Sequence, residues 1–229
     1  MNKSPKPAKP AKPNLRAAPA WARAEFVLAA HRLDQMPPDV GAEVAFAGRS
    51  NAGKSSAINA ITGQARLARI SKTPGRTQQL VVFAFDPHRR VVDLPGYGYA
   101  EVPAALRAHW GQTLSMYFTE RAALRGLLIA MDVRHPMRDY DTQMLHLAAM
   151  RRMPVHVLLT KADKLGRGQG ANALVATRNA LASQPGEVSV QLFSGITGDG
   201  VDAARSVIAR WLSSRETQSA PAAGDDAST

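Results

Sequence analysis

The sequence predicts an α/β domain built on a largely parallel sheet. Three observations carry this. Apolar runs of strand length alternate with helix-like segments, a glycine-rich loop joins one such run to a helix, and the tails fall outside the alternation. At 229 residues and 45% hydrophobic, the chain suffices for one generous domain with a real core.

Residues 1–21 repeat Lys-Pro and Ala-Lys-Pro. Proline blocks helix and little there can join a core, so a basic, extended, disordered arm is expected. Residues 22–213 are the expected folded domain, and 214–229, rich in Ser, Thr, Ala, Gly and Asp, a disordered tail. Predicted strands are 26–29, 44–47, 80–85, 90–93, 127–131, 155–159 and 188–193. Asp86, Pro87 and His88 read as a hairpin turn, which makes the strands on either side antiparallel. Predicted helices are 54–61, 103–121, 139–150, 171–182 and 201–212. In the last, Val201, Ala204, Val207, Ile208, Trp211 and Leu212 share one face, so Trp211 reads as core. Trp110, Tyr117 and Phe118 fit the buried side of the second helix.

Composition narrows the chemistry. The absence of cysteine excludes disulfides, Cys-ligated zinc and thiol catalysis. No apolar run approaches the ~20 residues of a membrane span, and no apolar segment follows the N-terminal lysines, so a cytoplasmic protein is expected. The six histidines show no metal-ligand spacing, and His135 reads as a structural or partner-contact residue. Of the net charge of +11, Lys3, Lys6, Lys9, Lys12 and Arg16 supply +5. Such an excess suits a polyanion, most often nucleic acid, or serves solubility alone.

Gly48, Arg49, Ser50, Asn51, Ala52, Gly53, Lys54 and Ser55 read G-x-x-x-x-G-K-S after an apolar run and before a helix, the pattern of a P-loop NTPase. Glycines let backbone N–H groups turn inward around phosphate, and the helix N-terminus adds partial positive charge. Lys54 can reach β- and γ-phosphates, and the Ser55 hydroxyl can ligate magnesium. About forty residues on, an apolar strand ends in Asp93, Leu94, Pro95 and Gly96. Asp93 would hold magnesium through water, and Gly96 would offer its N–H to a γ-phosphate. A third strand runs into Thr160, Lys161, Ala162 and Asp163. The Asp163 carboxylate can accept both guanine N1–H and N2–H₂, and adenine would leave it unpaired. Lys161 would lie along the base, and a backbone N–H in Phe193, Ser194 and Gly195 could meet guanine O6. Residues 66–77, polar and punctuated by Pro74 and Gly75, read as a mobile loop. Thr73 and Thr77 both qualify there as the threonine that completes a magnesium shell.

With these residues the chain resembles the EngB (YihA/YsxC) family of bacterial GTPases, within the TrmE-Era-EngA-EngB-septin-like superfamily. The resemblance spans roughly residues 22–213 and rests on the strings 47–56, 72–78, 93–100, 132–136 and 160–163. It implies a Ras-like fold, a mixed, mostly parallel sheet with helices on both faces, which binds GTP and magnesium and has two switch loops. It also implies a role in large ribosomal subunit assembly and a link to cell division and septation. It selects Thr77 as the magnesium ligand and, with Lys54 and Gly96, as part of the catalytic set. It extends the nucleotide contacts over Gly75, Arg76, Gln78 and Gln79, in a protein expected to be monomeric. Thr160 stands where most GTPases place asparagine, although threonine is usual in this family. Gly195 stands where a second serine is common, which puts a side-chain contact there in doubt.

Ras-type enzymes orient the attacking water with a glutamine where this chain has Tyr97, so turnover at or below about one per minute is expected. Asn51 occupies the loop position where related GTPases bind potassium, and a plain loop hydrogen bond is the alternative. Equal hydrolysis in potassium and sodium buffers would remove the potassium site. The leading expectation is a GTP-operated assembly factor. The alternatives are a nucleic-acid-binding module that keeps nucleotide as a structural ligand, and an ATP-dependent enzyme, which the base-reading Asp163 argues against.

Overall fold

The computed structural model describes residues 19–68, 79–96 and 104–213. A seven-stranded sheet forms from β1 (Glu25–Ala30), β2 (Ala42–Gly48), β3 (Leu80–Asp86), β4 (Arg89–Asp93), β5 (Leu124–Asp132), β6 (Val155–Thr160) and β7 (Val188–Leu192). Their spatial order is β1-β3-β4-β2-β5-β6-β7. The β1/β3 and β3/β4 pairs are antiparallel and the others parallel, so β3 alone runs against its neighbours. The β3–β4 hairpin turns as predicted. Asp86 Oδ1 accepts the N–H groups of His88 and Arg89, both at 2.9 Å, and its Oδ2 takes the Arg89 Nε at 2.6 Å.

Among the described residues five α-helices cover both faces: α1 (Lys54–Thr62), α2 (Ala104–Glu120), α3 (Asp139–Met150), α4 (Arg167–Leu181) and α5 (Val201–Ser213). Strand alternation divides the core between them. Val44 and Phe46 of β2 and Leu128 of β5 pack with Ile58, Ile61, Ile208, Trp211 and Leu212 of α1 and α5. Ala45, Ala47, Leu127 and Ile129, one residue out of phase, pack with Tyr117, Phe118, Met144 and Leu145 of α2 and α3. Tyr117, Phe118 and Trp211 are core residues, as their helical phase predicts. The Trp110 side chain lies outside the described residues.

Two boundaries differ from the sequence reading by three residues or more, each for a local reason. β5 begins at Leu124, three residues before the predicted start, and runs through Gly126, which is a packing site. A Cβ there would stand 2.4 Å from Trp211 Cε3, so the indole of α5 lies directly on the strand backbone. α4 begins at Arg167, inside a glycine-rich stretch that reads as loop. The Gln169 side chain accepts the Gly166 N–H at 3.3 Å and caps that first turn.

Opposite the C-terminal ends of the parallel strands, β2 starts with a charge the sequence reading did not use. Glu43 is fully buried, its Oε1 bonded to Arg90 Nε at 2.8 Å and to an Arg121 Nη2 at 2.6 Å, its Oε2 to Arg121 Nε at 3.0 Å. The Tyr117 hydroxyl stands 3.5 Å from Oε2. Both arginines reach on to the carbonyls of Pro37, Pro38 and Val40, so the cations and the carboxylate are multiply satisfied.

Candidate functional site

Strands β2, β4, β6 and β7 run in one direction, so the segments after them emerge at one sheet edge. Those segments are 48–55, 93–96, 160–163 and 193–195. After β2 the chain turns through Asn51 at φ +62° and Gly53 at φ +89°, then enters α1 at Lys54. Left-handed residues two apart are the backbone pattern that aims successive N–H groups at an anion, and asparagine and glycine are the residues that tolerate it. Ser55 is half-buried in the first turn of the helix.

The Lys54 ammonium bonds the Asp93 carboxylate at the end of β4, and both side chains are less than a tenth exposed. Burial pushes the Asp93 carboxyl up, against the pull of Lys54. Leu94 and Pro95 are buried behind it. Gly96 sits against the first loop: a Cβ there would stand 3.2 Å from Gly48 O and 3.3 Å from Ser50 N. A side chain at 96 would press on the loop backbone, which would have to give by a few tenths of an ångström.

The third segment is tied to the first. Thr160, 2% exposed, directs its hydroxyl to the carbonyl of Ala52 and lies 3.0 Å from that of Met131. Lys161, left-handed at φ +59°, donates to Asn51 O at 2.6 Å and pairs with Asp132 Oδ2 at 2.9 Å. Arg134 first, and then Lys161, hold the Asp132 carboxyl well below the usual carboxylate range. The fourth segment meets the third where the Ser194 hydroxyl donates to Asp163 Oδ1 at 2.7 Å and the Ala162 N–H to Phe193 O at 3.1 Å. That hydroxyl is the largest influence keeping the Asp163 carboxyl low. A Cβ at Gly195 would stand 3.0 Å from Ser56 O, so the missing side chain matches a close approach to α1.

Of the other predicted residues, Arg49 is half-buried beside the loop, and Gln79 places its amide nitrogen 2.7 Å from His31 Nε2. Gly75, Arg76, Thr77, Gln78 and Tyr97 lie outside the described residues, as do residues 1–18 of the arm and the tail, whereas Trp21, assigned to the arm, begins a short turn and meets the Phe85 ring edge-on at 5.2 Å. The sequence reading assigned no role to Asp132, although it closes an apolar strand as Asp93 does, and that repetition was a usable signal. It also passed over Tyr140, whose hydroxyl donates to Pro95 O at 3.1 Å, and no local pattern marks it. Among the described residues, no helix is long and apolar enough to cross a membrane.

A family model described as "50S ribosome-binding GTPase" matches residues 43–161. A relative from Stenotrophomonas maltophilia, "Probable GTP-binding protein EngB", is 60% identical over 191 residues, covering 83% of this chain and 96% of its own length. One of the same name from Xanthomonas euvesicatoria is 57% identical and is covered over 92% of its length. The crystal structure of a probable GTP-binding protein engB aligns with a TM-score of 0.61 at 18% identity, covering 76% of this chain and 100% of that one. At that identity it speaks for the fold alone. The family model and the close relatives together place the chain in the EngB family of GTP-binding proteins, GTPases built on the P-loop fold.

Proposed function

We propose that the chain is a slow, magnesium-dependent GTP switch that acts as a cytoplasmic monomer in large ribosomal subunit assembly and is needed for normal cell division and septation. The observation that carries the nucleotide site is the set of bonds joining four separate segments at one sheet edge. Lys54 bonds Asp93, Lys161 and Thr160 bond the loop at 51–52, and Ser194 bonds Asp163. The ribosomal partner is supported by the matched family's description and by the net charge of +11.

In this reading Lys54 exchanges Asp93 for β- and γ-phosphate oxygens, while the loop N–H groups hold the remaining phosphate charge. The described candidate ligands are a hydroxyl and a carboxylate, the hard oxygen donors that magnesium prefers. Ser55, Asp93 through water, and Thr77 would hold magnesium, which supplies charge neutralisation on the phosphates. Asp163, kept ionised by the Ser194 hydroxyl, accepts the two donors on the guanine edge, and an adenine would leave that acceptor unpaired. Gly96 offers its N–H to the γ-phosphate. Tyr97 in place of a water-orienting glutamine makes the chemistry slow, so the triphosphate state lasts long enough to act as a timer.

The test is sedimentation with separated ribosomal subunits. The protein is expected to pellet with the large subunit in the presence of a non-hydrolysable GTP analogue and to leave it with GDP. Equal pelleting in both states, or none, contradicts the switch.

A further inference from the structure

We propose that Tyr140 is a positioning residue that sets the Pro95–Gly96 peptide and thereby the preference for triphosphate over diphosphate. The inference rests on the reading of Gly96 given above and adds a residue that reading does not use. Tyr140 lies in the first turn of α3 and is 5% exposed, its ring packed in the core beside α2 and β5. Asp141 Oδ2 accepts the Arg138 N–H at 3.0 Å, which closes the same turn and fixes where the phenol stands.

The Tyr140 hydroxyl donates to Pro95 O at 3.1 Å. Among the described residues no peptide bond is cis. In a trans peptide the carbonyl and the following N–H point in opposite directions across one rigid plane. Holding Pro95 C=O toward α3 therefore turns the Gly96 N–H away from α3. At the Gly96 Cα the backbone of the loop at 48–50 is close, since a Cβ there would stand 3.2 Å from Gly48 O and 3.3 Å from Ser50 N. The tyrosine bond to the carbonyl and the close loop backbone at the Gly96 Cα both restrict rotation of that plane, so the donor is oriented before any ligand arrives. Pre-setting a donor spares the rearrangement that binding would otherwise require.

Only a γ-phosphate uses that donor, so the effect separates the two nucleotides. Tyr140→Phe keeps the buried ring and removes the hydroxyl. Fluorescent mant-GDP and mant-GppNHp are titrated into the full-length wild-type and variant proteins. The mant-GppNHp affinity is expected to fall about three- to tenfold, the range of one lost hydrogen bond, while mant-GDP affinity holds. Retained mant-GDP binding also shows that the variant is folded. An unchanged ratio of the two affinities, whether both hold or both fall together, overturns the assignment. Wild-type protein that binds neither probe overturns the guanine-nucleotide reading itself and this inference with it, a failure distinct from that of the variant.

Discussion

The two ends of β2 handle charge in opposite ways. At its N-terminal end Glu43 is enclosed by Arg90 and Arg121, and both of its carboxylate oxygens accept hydrogen bonds from them. At its C-terminal end the charges are only partly matched. Among the described residues Lys54 and Asp93 pair through one hydrogen bond, and burial still pushes the Asp93 carboxyl up. On α3, within the influence of Arg49 from the loop, Asp141 is 1% exposed and its Oδ1 has no hydrogen-bond partner among the described residues. Its carboxyl is pushed up to about 6, by burial first, with the Arg49 and Arg138 cations pulling the other way. A fully satisfied buried cluster fixes the fold, because losing one member strands the others. A partly satisfied one lowers stability and suits a site whose charges change partners during function.

The contrast can be broken most forcefully at its satisfied end. Glu43→Ala leaves two arginines without their buried anion and is expected to cost about 3–5 kcal/mol in urea denaturation. The protein that remains folded should keep its guanine-nucleotide affinity, because the site lies at the far end of the strand. A loss below about 1 kcal/mol would show that the cluster is not what anchors this end.

At the other end the sign reverses. The folded Asp141 carboxyl titrates near 6, above its ordinary value of 3.8. The folded state therefore binds the proton more tightly than the unfolded chain. That contribution is full at acid pH and is lost as the pH rises through about 6. Asp141→Asn keeps an acceptor for the Arg138 N–H and removes the buried charge. It should stabilise the protein by about 1–2 kcal/mol at neutral pH and by progressively less toward acid pH. Thermal melts across that range check it. A variant less stable than wild type at neutral pH would mean that Arg49 compensates the carboxylate fully.

The same division explains what could be read from the sequence. Every strand and α-helix was legible because apolar periodicity reports which face of a local segment is buried. The four segments gathered at one sheet edge were legible because the phosphate- and base-binding chemistry proposed for them asks for fixed residue types at fixed spacing, as at Lys54 and Asp93. The strand that runs through Gly126 was not legible that far, since the ring that covers this glycine comes from Trp211, far along the chain. The partners of Glu43 stand 47 and 78 residues away, and Tyr140 meets a carbonyl 45 residues before it. No periodicity encodes such pairs, because they depend on how finished elements pack. A lone glutamate inside the apolar run of β2 was the one hint that an ion cluster waited there.

The most direct test of the single-site account is isothermal titration of GDP and ADP into wild-type protein and Asp163→Asn. Wild type should prefer GDP by about a hundredfold or more, and the variant should lose most of that preference while staying folded. Comparable affinities for the two nucleotides in wild type, or an unaltered preference in the variant, would contradict it.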